Sequence, residues 1–252
     1  MNSLILLLSV LISVLFLKNV SSKSLTEVVS RVYFGEDLRP QEHKHLVRLD
    51  ITPGYTTTLC TGSIISPYLI VTAAHCVCFE RLYFKAFSYP NTLVGQGTSK
   101  LAHPYYKADC GSRRAVYKDI VVDVGLLITK NAIAFTEYVQ PIPLGKSGDG
   151  FGYTVTIAGY GAKEDDSNVP KQGKVTIQRC FKKQDVSLPA AMCSYGERRP
   201  GSGDSGGPVV HNGVLIGVIS SGSCSRDTCT SFYTQVDVIL QWFSSMKLVI
   251  NK

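Results

Sequence analysis

Past Arg31 the chain breaks into short runs rich in valine, isoleucine, threonine and tyrosine, and this limits its fold more than any other feature. "HLVRLDI", "TGSIIS", "LIVTAA", "IVVDVGLLIT", "GYTVTIAGYG", "GKVTIQRC", "AAMCSYG", "GPVVHNGVLIGVISSG" and "SFYTQV" have strand character. Loops containing Gly, Pro, Asn or Asp separate most of them. Within "VVHNGVLIGVI", Asn212-Gly213 between two apolar runs predicts a hairpin with a type I′ turn. Only "VDVILQWFSSMKLVI" has helical spacing, with Val236, Ile239, Leu240, Phe243 and Met246 at three- and four-residue steps. The chain therefore reads as all-β, barrel or sandwich, with one C-terminal helix. A connector near 131–152 divides the strands into two groups, and chemistry drawing on both groups would sit between them.

The first 22 residues read differently. Leu4 to Leu17 is apolar apart from two serines, then Lys18 interrupts it. A run this short suits a secretory signal, because a bilayer span needs about 20 residues. Small residues at Val20-Ser21-Ser22 place the cut near Ser22, with an uncleaved anchor as the alternative. No stable membrane insertion is expected, and the destination is extracellular.

Export changes how the eight cysteines read. An even count in an exported chain favours disulfides over metal. His75 with Cys76-x-Cys78 lacks a second cluster at zinc-finger spacing, so no metal and no cofactor is expected. The net charge is +7, scattered without a long basic run, which argues against a nucleic-acid partner.

The chemistry concentrates in "PGSGDSGGPVV", residues 200–210, where four glycines surround Ser205. Serine needs a base to take its proton, and the base needs a group that orients it and stabilises its charged form. His75, ending the apolar run "LIVTAAHC", and Asp123, inside the apolar "DIVVDVGLLIT", supply those residue types. An aspartate in such a strand requires hydrogen-bond partners. Glycines beside the serine leave backbone N–H groups bare for a developing oxyanion, and those of Gly203 and Ser205 are the expected hole.

In that order, "VTAAHC", "DVGLLIT" and "GDSGGP" resemble the chymotrypsin/trypsin-like serine proteases. "TIAGYG", "YVQPIPL" and "LQWF" extend the resemblance from Arg31 to the C-terminus. It implies two six-stranded antiparallel β-barrels with the site in the cleft between them. His75 and Asp123 would come from the first barrel and Ser205 from the second. It implies an endopeptidase acting on protein or peptide substrates through an acyl-enzyme. A relative that only binds, its pocket collapsed, is the alternative. An esterase reading fails, because strands rather than a helix follow the Ser205 turn and the order His, Asp, Ser differs.

The resemblance further implies a zymogen. A propeptide over 23–31 would be cut after Arg31 by an activating protease, and the new amine of Val32 would pair with Asp204. Tyr33 and Phe34 depart from the small residues usual there. Protein protease inhibitors are implied as further partners. The resemblance pairs Cys60 with Cys76 and Cys180 with Cys193. Gly201 replaces a usual half-cystine, so Cys224 must find another thiol; Cys229, five residues on, and Cys78 with Cys110 are the expected pairs, with a Cys78–Cys229 bridge as the alternative. At the floor of the substrate pocket, where trypsin-like members carry an aspartate, stands Arg199. It would repel basic side chains and receive acidic ones, unless the loop shifts it to solvent or Glu197 or Asp227 neutralises it. Ser220, Ser221 and Gly222 match the wall that pairs with substrate backbone, and Ser231 stands where a small wall residue is expected.

Overall fold

The computed structural model describes residues 32–39, 41–106, 122–145, 151–161, 168–180, 191–225 and 228–246. The expectations for the signal, the propeptide, Arg31, Cys110 and Asp227 lie outside them. In chain order the strands are β1 (Glu36–Asp37), β2 (Leu46–Thr52), β3 (Thr58–Ile64), β4 (Leu69–Thr72), β5 (Tyr83–Ser88), β6 (Thr92–Gly97), β7 (Ser99–Ala102) and β8 (Gly125–Ile128). The second half contributes β9 (Thr154–Gly159), β10 (Lys171–Thr176), β11 (Gln178–Arg179), β12 (Ala191–Tyr195), β13 (Pro208–His211), β14 (Val214–Ser225) and β15 (Thr228–Gln235). Among the described residues there are two helices, the short α1 (Ala74–Val77) and α2 (Val236–Ser245).

The strands form two antiparallel sheets in the orders β6-β5-β2-β3-β4-β8-β7 and β1-β10-β9-β13-β14-β15-β12-β11. β6 and β7 follow each other in the chain across Thr98 yet stand at opposite edges of the first sheet, so that sheet curls. The second curls likewise, because β10 and β11 are joined through Ile177. Joining across Thr98 and Ile177, and setting aside the two-residue β1, leaves six strands in each curled sheet.

Alternation drives the curl. In β2, Val47, Leu49 and Ile51 point inward and are fully buried beside Phe84 and Ile64. Val155, Ile157, Ile177 and Tyr233 fill the second barrel. Fully burying each such side chain is worth about 1.5–3 kcal/mol as an upper estimate. A third cluster lies between the barrels, where Val122, Val124 and Leu126 meet Leu215, Val218 and the buried face of α2, namely Val236, Ile239, Trp242 and Phe243. The β13–β14 turn carries Asn212 at φ 48° and Gly213 at φ 77°, the two left-handed residues of a type I′ hairpin. Among the described residues no helix is long and apolar enough to cross a membrane.

Candidate active site

β4 ends at the buried Thr72. Ala73 and Ala74, both fully buried, then turn the chain into α1, which carries His75 to the rim between the barrels. Asp123 arrives from the other side, between Val122 and Val124 in the inter-barrel cluster, and is 2% exposed.

His75 Nδ1 lies 2.8 Å from Asp123 Oδ2, and the His75 backbone N–H donates to Oδ1 at 3.0 Å. Ser220, on β14 of the second barrel, donates its hydroxyl to Oδ2 at 2.6 Å. Thr234 donates to the Asp123 carbonyl at 3.2 Å and accepts its N–H at 3.3 Å. Burial alone would raise the Asp123 carboxyl, but the charge and hydrogen bonds of His75, with the Ser220 hydroxyl, hold it below its usual range. Burial alone would lower His75, but the Asp123 carboxylate overrides it and raises the imidazole above 6.5. With Nδ1 directed at Asp123, Nε2 is left as the nitrogen that can accept a proton.

Ser205 sits in a turn built by Gly203 (φ 88°) and Gly206 (φ 83°). A Cβ on Gly206 would come 2.0 Å from Thr72 Oγ1 and 2.3 Å from the Thr61 carbonyl, so only glycine lets the turn close on the first barrel. Thr61 fastens it there. Its N–H donates to the Ser205 carbonyl at 2.8 Å, its hydroxyl donates to the Gly203 carbonyl at 2.9 Å, and that hydroxyl accepts the Tyr160 N–H at 3.0 Å. Cys76 Sγ, on the helix of His75, is 3.9 Å from the Ser205 carbonyl oxygen. Ser205 thus reaches the rim of His75 and Asp123 through its backbone. Its hydroxyl is not hydrogen-bonded to His75 among the described contacts, a looseness common in unliganded sites.

Backbone donors around Ser205 fall into two sets. The N–H groups of Gly201, Asp204, Gly206 and Gly207 have acceptors within the protein. Those of Gly203 and Ser205 have none among the described residues, and so are open to a ligand oxygen. Asp204 is fully buried. It accepts the Val32 N–H at 2.8 Å and the Gly201 N–H at 2.7 Å on Oδ2, and the Gly161 N–H at 2.9 Å on Oδ1.

The residues expected to form the substrate wall lie along one ladder. Ser221 pairs with Phe232 and Gly222 with Ser231, which is 1% exposed. Cys224 and Cys229 face each other across the end of this hairpin and are bonded. Cys60–Cys76 and Cys180–Cys193 are likewise disulfides, and Cys78 is also disulfide-bonded; Cys110, the partner expected for it, lies outside the described residues. Cys60 and Cys76 stand close to His75, but their shared bond makes both sulfurs unfit as metal ligands. Arg199 sends its guanidinium over the Tyr33 ring, 3.8 Å from the centroid, and to the Glu197 carbonyl at 3.1 Å. Among the described residues no carboxylate pairs with it.

Two residues of the site escape sequence reasoning. Thr61 offers no signal beyond being a polar residue in an apolar strand. Ser220 is expected only as a wall residue, whereas its hydroxyl is turned to Asp123 and is largely buried.

The sequence model of the family described as Trypsin matches residues 32–243. The chain belongs to the trypsin family. As a trypsin-family protein it is a serine endopeptidase, and its substrates are proteins. It is 26% identical over 229 residues to trypsin theta of Drosophila melanogaster, covering 84% of each chain. It is 27% identical over 232 residues to the venom plasminogen activator TSV-PA of Trimeresurus stejnegeri, covering 85% of this chain and 86% of that one. The solved structure of HL collagenase superposes with a TM-score of 0.71 over 86% of this chain and 98% of its own, at 22% identity, which is a likeness of fold.

Proposed function

We propose that this trypsin-family endopeptidase is exported by its first 22 residues, held as a zymogen by residues 23–31, and switched on by a cut after Arg31. Three cystine bridges among the described residues favour an oxidising destination. The Val32 nitrogen already lies 2.8 Å from the buried Asp204 carboxylate. Once freed as an ammonium it would supply the positive partner that a buried carboxylate calls for, and fix the loop that carries Ser205. An activating protease and protein inhibitors are the partners this reading adds.

In the reaction, Ser205 Oγ attacks the scissile carbonyl carbon while its proton passes to His75 Nε2. The carbonyl π pair moves onto oxygen, which the N–H groups of Gly203 and Ser205 stabilise. Collapse breaks the C–N bond, and the imidazolium gives its proton to the leaving amine. Water then repeats the sequence to release the acid. Asp123 holds the imidazole and stabilises its charged form.

The observation that carries this reading is the two-point grip of the buried Asp123 carboxylate on His75. The cleaved bond does not follow Lys or Arg, since the pocket-floor position holds Arg199 rather than an acid. A fluorophosphonate tests the whole. The processed chain labels at Ser205 and the Ser205→Ala variant does not. A folded, processed protein that takes no label is a binding protein instead.

A further inference from the structure

Two oddities of the sequence meet in space. Tyr33 stands where the family has a small apolar residue, and Arg199 stands where trypsin-like members have an aspartate. The Tyr33 N–H donates to the Arg199 carbonyl at 2.8 Å, so the two residues form an antiparallel bridge. On the same bridge the guanidinium lies 3.8 Å above the ring, well inside the reach of a cation–π contact. Its NH1 donates to the Glu197 carbonyl at 3.1 Å. The neighbouring Arg198 donates Nε to the Phe34 carbonyl at 3.1 Å, so two successive arginines clasp the segment that starts at Val32. Val32 itself is buried against Asp204.

We propose that Tyr33 is a positioning residue for specificity, holding the Arg199 guanidinium away from the substrate pocket so that the processed enzyme accepts uncharged P1 side chains. This rests on the reading above that the Arg199 position forms the pocket floor. A free guanidinium in that pocket would recruit an acidic side chain. Engaged on an aromatic face and a main-chain carbonyl, it leaves the residues expected to form the pocket wall, Ser221, Gly222 and Ser231, which are small and uncharged. A Cβ on Gly222 would meet nothing closer than 3.4 Å, so the wall is uncrowded at that residue. Because Tyr33 directly follows Val32, the seating of Val32 on Asp204 also seats the ring beneath Arg199.

The test uses processed wild type, Tyr33→Phe, Tyr33→Val and Tyr33→Leu, each normalised by fluorophosphonate titration. Three peptide substrates differ only in P1, which is Leu, Glu or Lys. Wild type prefers Leu over both charged residues. Tyr33→Phe keeps the aromatic face and keeps that ranking. Tyr33→Val and Tyr33→Leu release the guanidinium and raise the Glu-to-Leu ratio of kcat/KM about tenfold, as loss of a partly desolvated cation–π contact allows. Adding Arg199→Gln to either variant removes the gain. A general loss of stability lowers all three rates together and leaves the ratio where it was. Labelled, active enzymes whose ratio does not move, or a wild type that already favours Glu, overturn the role of Tyr33 and leave the protease reading standing. A wild type that neither labels nor cleaves overturns both.

Discussion

The hydroxyl of Ser220 donates to Asp123 Oδ2 at 2.6 Å, on the same oxygen that receives His75 Nδ1. The bond crosses from the second barrel to the first. With the two Thr234 contacts to the Asp123 backbone, it means that the carboxylate is placed by both halves of the molecule. Rotation of one barrel against the other would therefore be felt at His75.

Ser220→Ala removes one donor from a buried anion. A hydrogen bond to a charged group contributes about 1.5–3 kcal/mol. The expected outcome is a kcat reduced roughly tenfold, together with a lower melting temperature. An Asp123 carboxylate indifferent to Ser220 would show neither change in steady-state kinetics and thermal unfolding.

Asp123→Asn keeps the shape but loses the charge and the tautomer control. The corresponding change in a member of this protease family costs roughly 10⁴-fold in kcat, a value measured on that relative and carried over. Labelling by a fluorophosphonate slows in step, while circular dichroism stays that of the folded chain. Activity within tenfold of wild type would mean that another group orients His75.

The acid limb of activity follows from the raised His75. In the proposed mechanism the imidazole must be neutral to take the Ser205 proton, so kcat/KM is expected to rise with pH through a pKa above 6.5. Stability runs the opposite way. The ion pair with Asp123 contributes fully below the unfolded value near 6.5, down to the range where Asp123 itself protonates, and fades as pH climbs through the folded value. A pH–rate profile whose acid limb falls below 6.5 would contradict the Asp123–His75 coupling.

Much of this architecture is legible from local pattern. Period-two alternation marks β2 and β9, Asn212-Gly213 marks its hairpin, and three- to four-residue spacing marks α2, because each is dictated by near neighbours in the chain. His75 ending an apolar run and Asp123 lying within one are visible as anomalies. What no local pattern encodes is where those side chains point once two barrels dock. The turn of Ser220 toward Asp123, the fastening of Gly203 by Thr61 and the stack of Arg199 on Tyr33 all join residues 97 to 166 positions apart. Each depends on a rotamer chosen against a partner from the other end of the sequence.

Gly206→Ala tests the fastening of the Ser205 turn. The added Cβ would lie 2.3 Å from the Thr61 carbonyl and 2.8 Å from the Ala73 nitrogen, both backbone atoms, at a φ of 83° that alanine resists. The turn must retreat from β3, and strain of this kind costs about 1–3 kcal/mol before the clash is counted. The expected variant folds with a lowered melting temperature and loses at least a hundredfold in labelling rate, since losing one oxyanion donor alone costs roughly 10²–10³. Wild-type labelling would show that the turn is not held by Thr61.

His45 governs acid stability away from the site. Burial, then the positive character of His43 when it protonates, pushes its pKa down to about 3. Its Nδ1 has no hydrogen-bond partner, and its Nε2 lies 3.4 Å from His43 Nδ1. His43 is itself lowered by burial, against the pull of Gln172 and Glu42, and Lys44 stands between the two histidines in the chain. The unfolded chain takes up a proton at His45 near pH 6.5 and the folded chain does not. The stability gained from keeping it neutral is therefore full above 6.5 and drains away as pH falls toward 3, by a few kcal/mol at most, or about 1.4 per unit. His45→Leu removes that group and makes the fall of the urea midpoint between pH 6.5 and 4 shallower, leaving the slopes from His43 and His103, both lowered by burial, and the opposing one from His75. Midpoints of variant and wild type that fall in parallel over this range would place the acid sensitivity elsewhere.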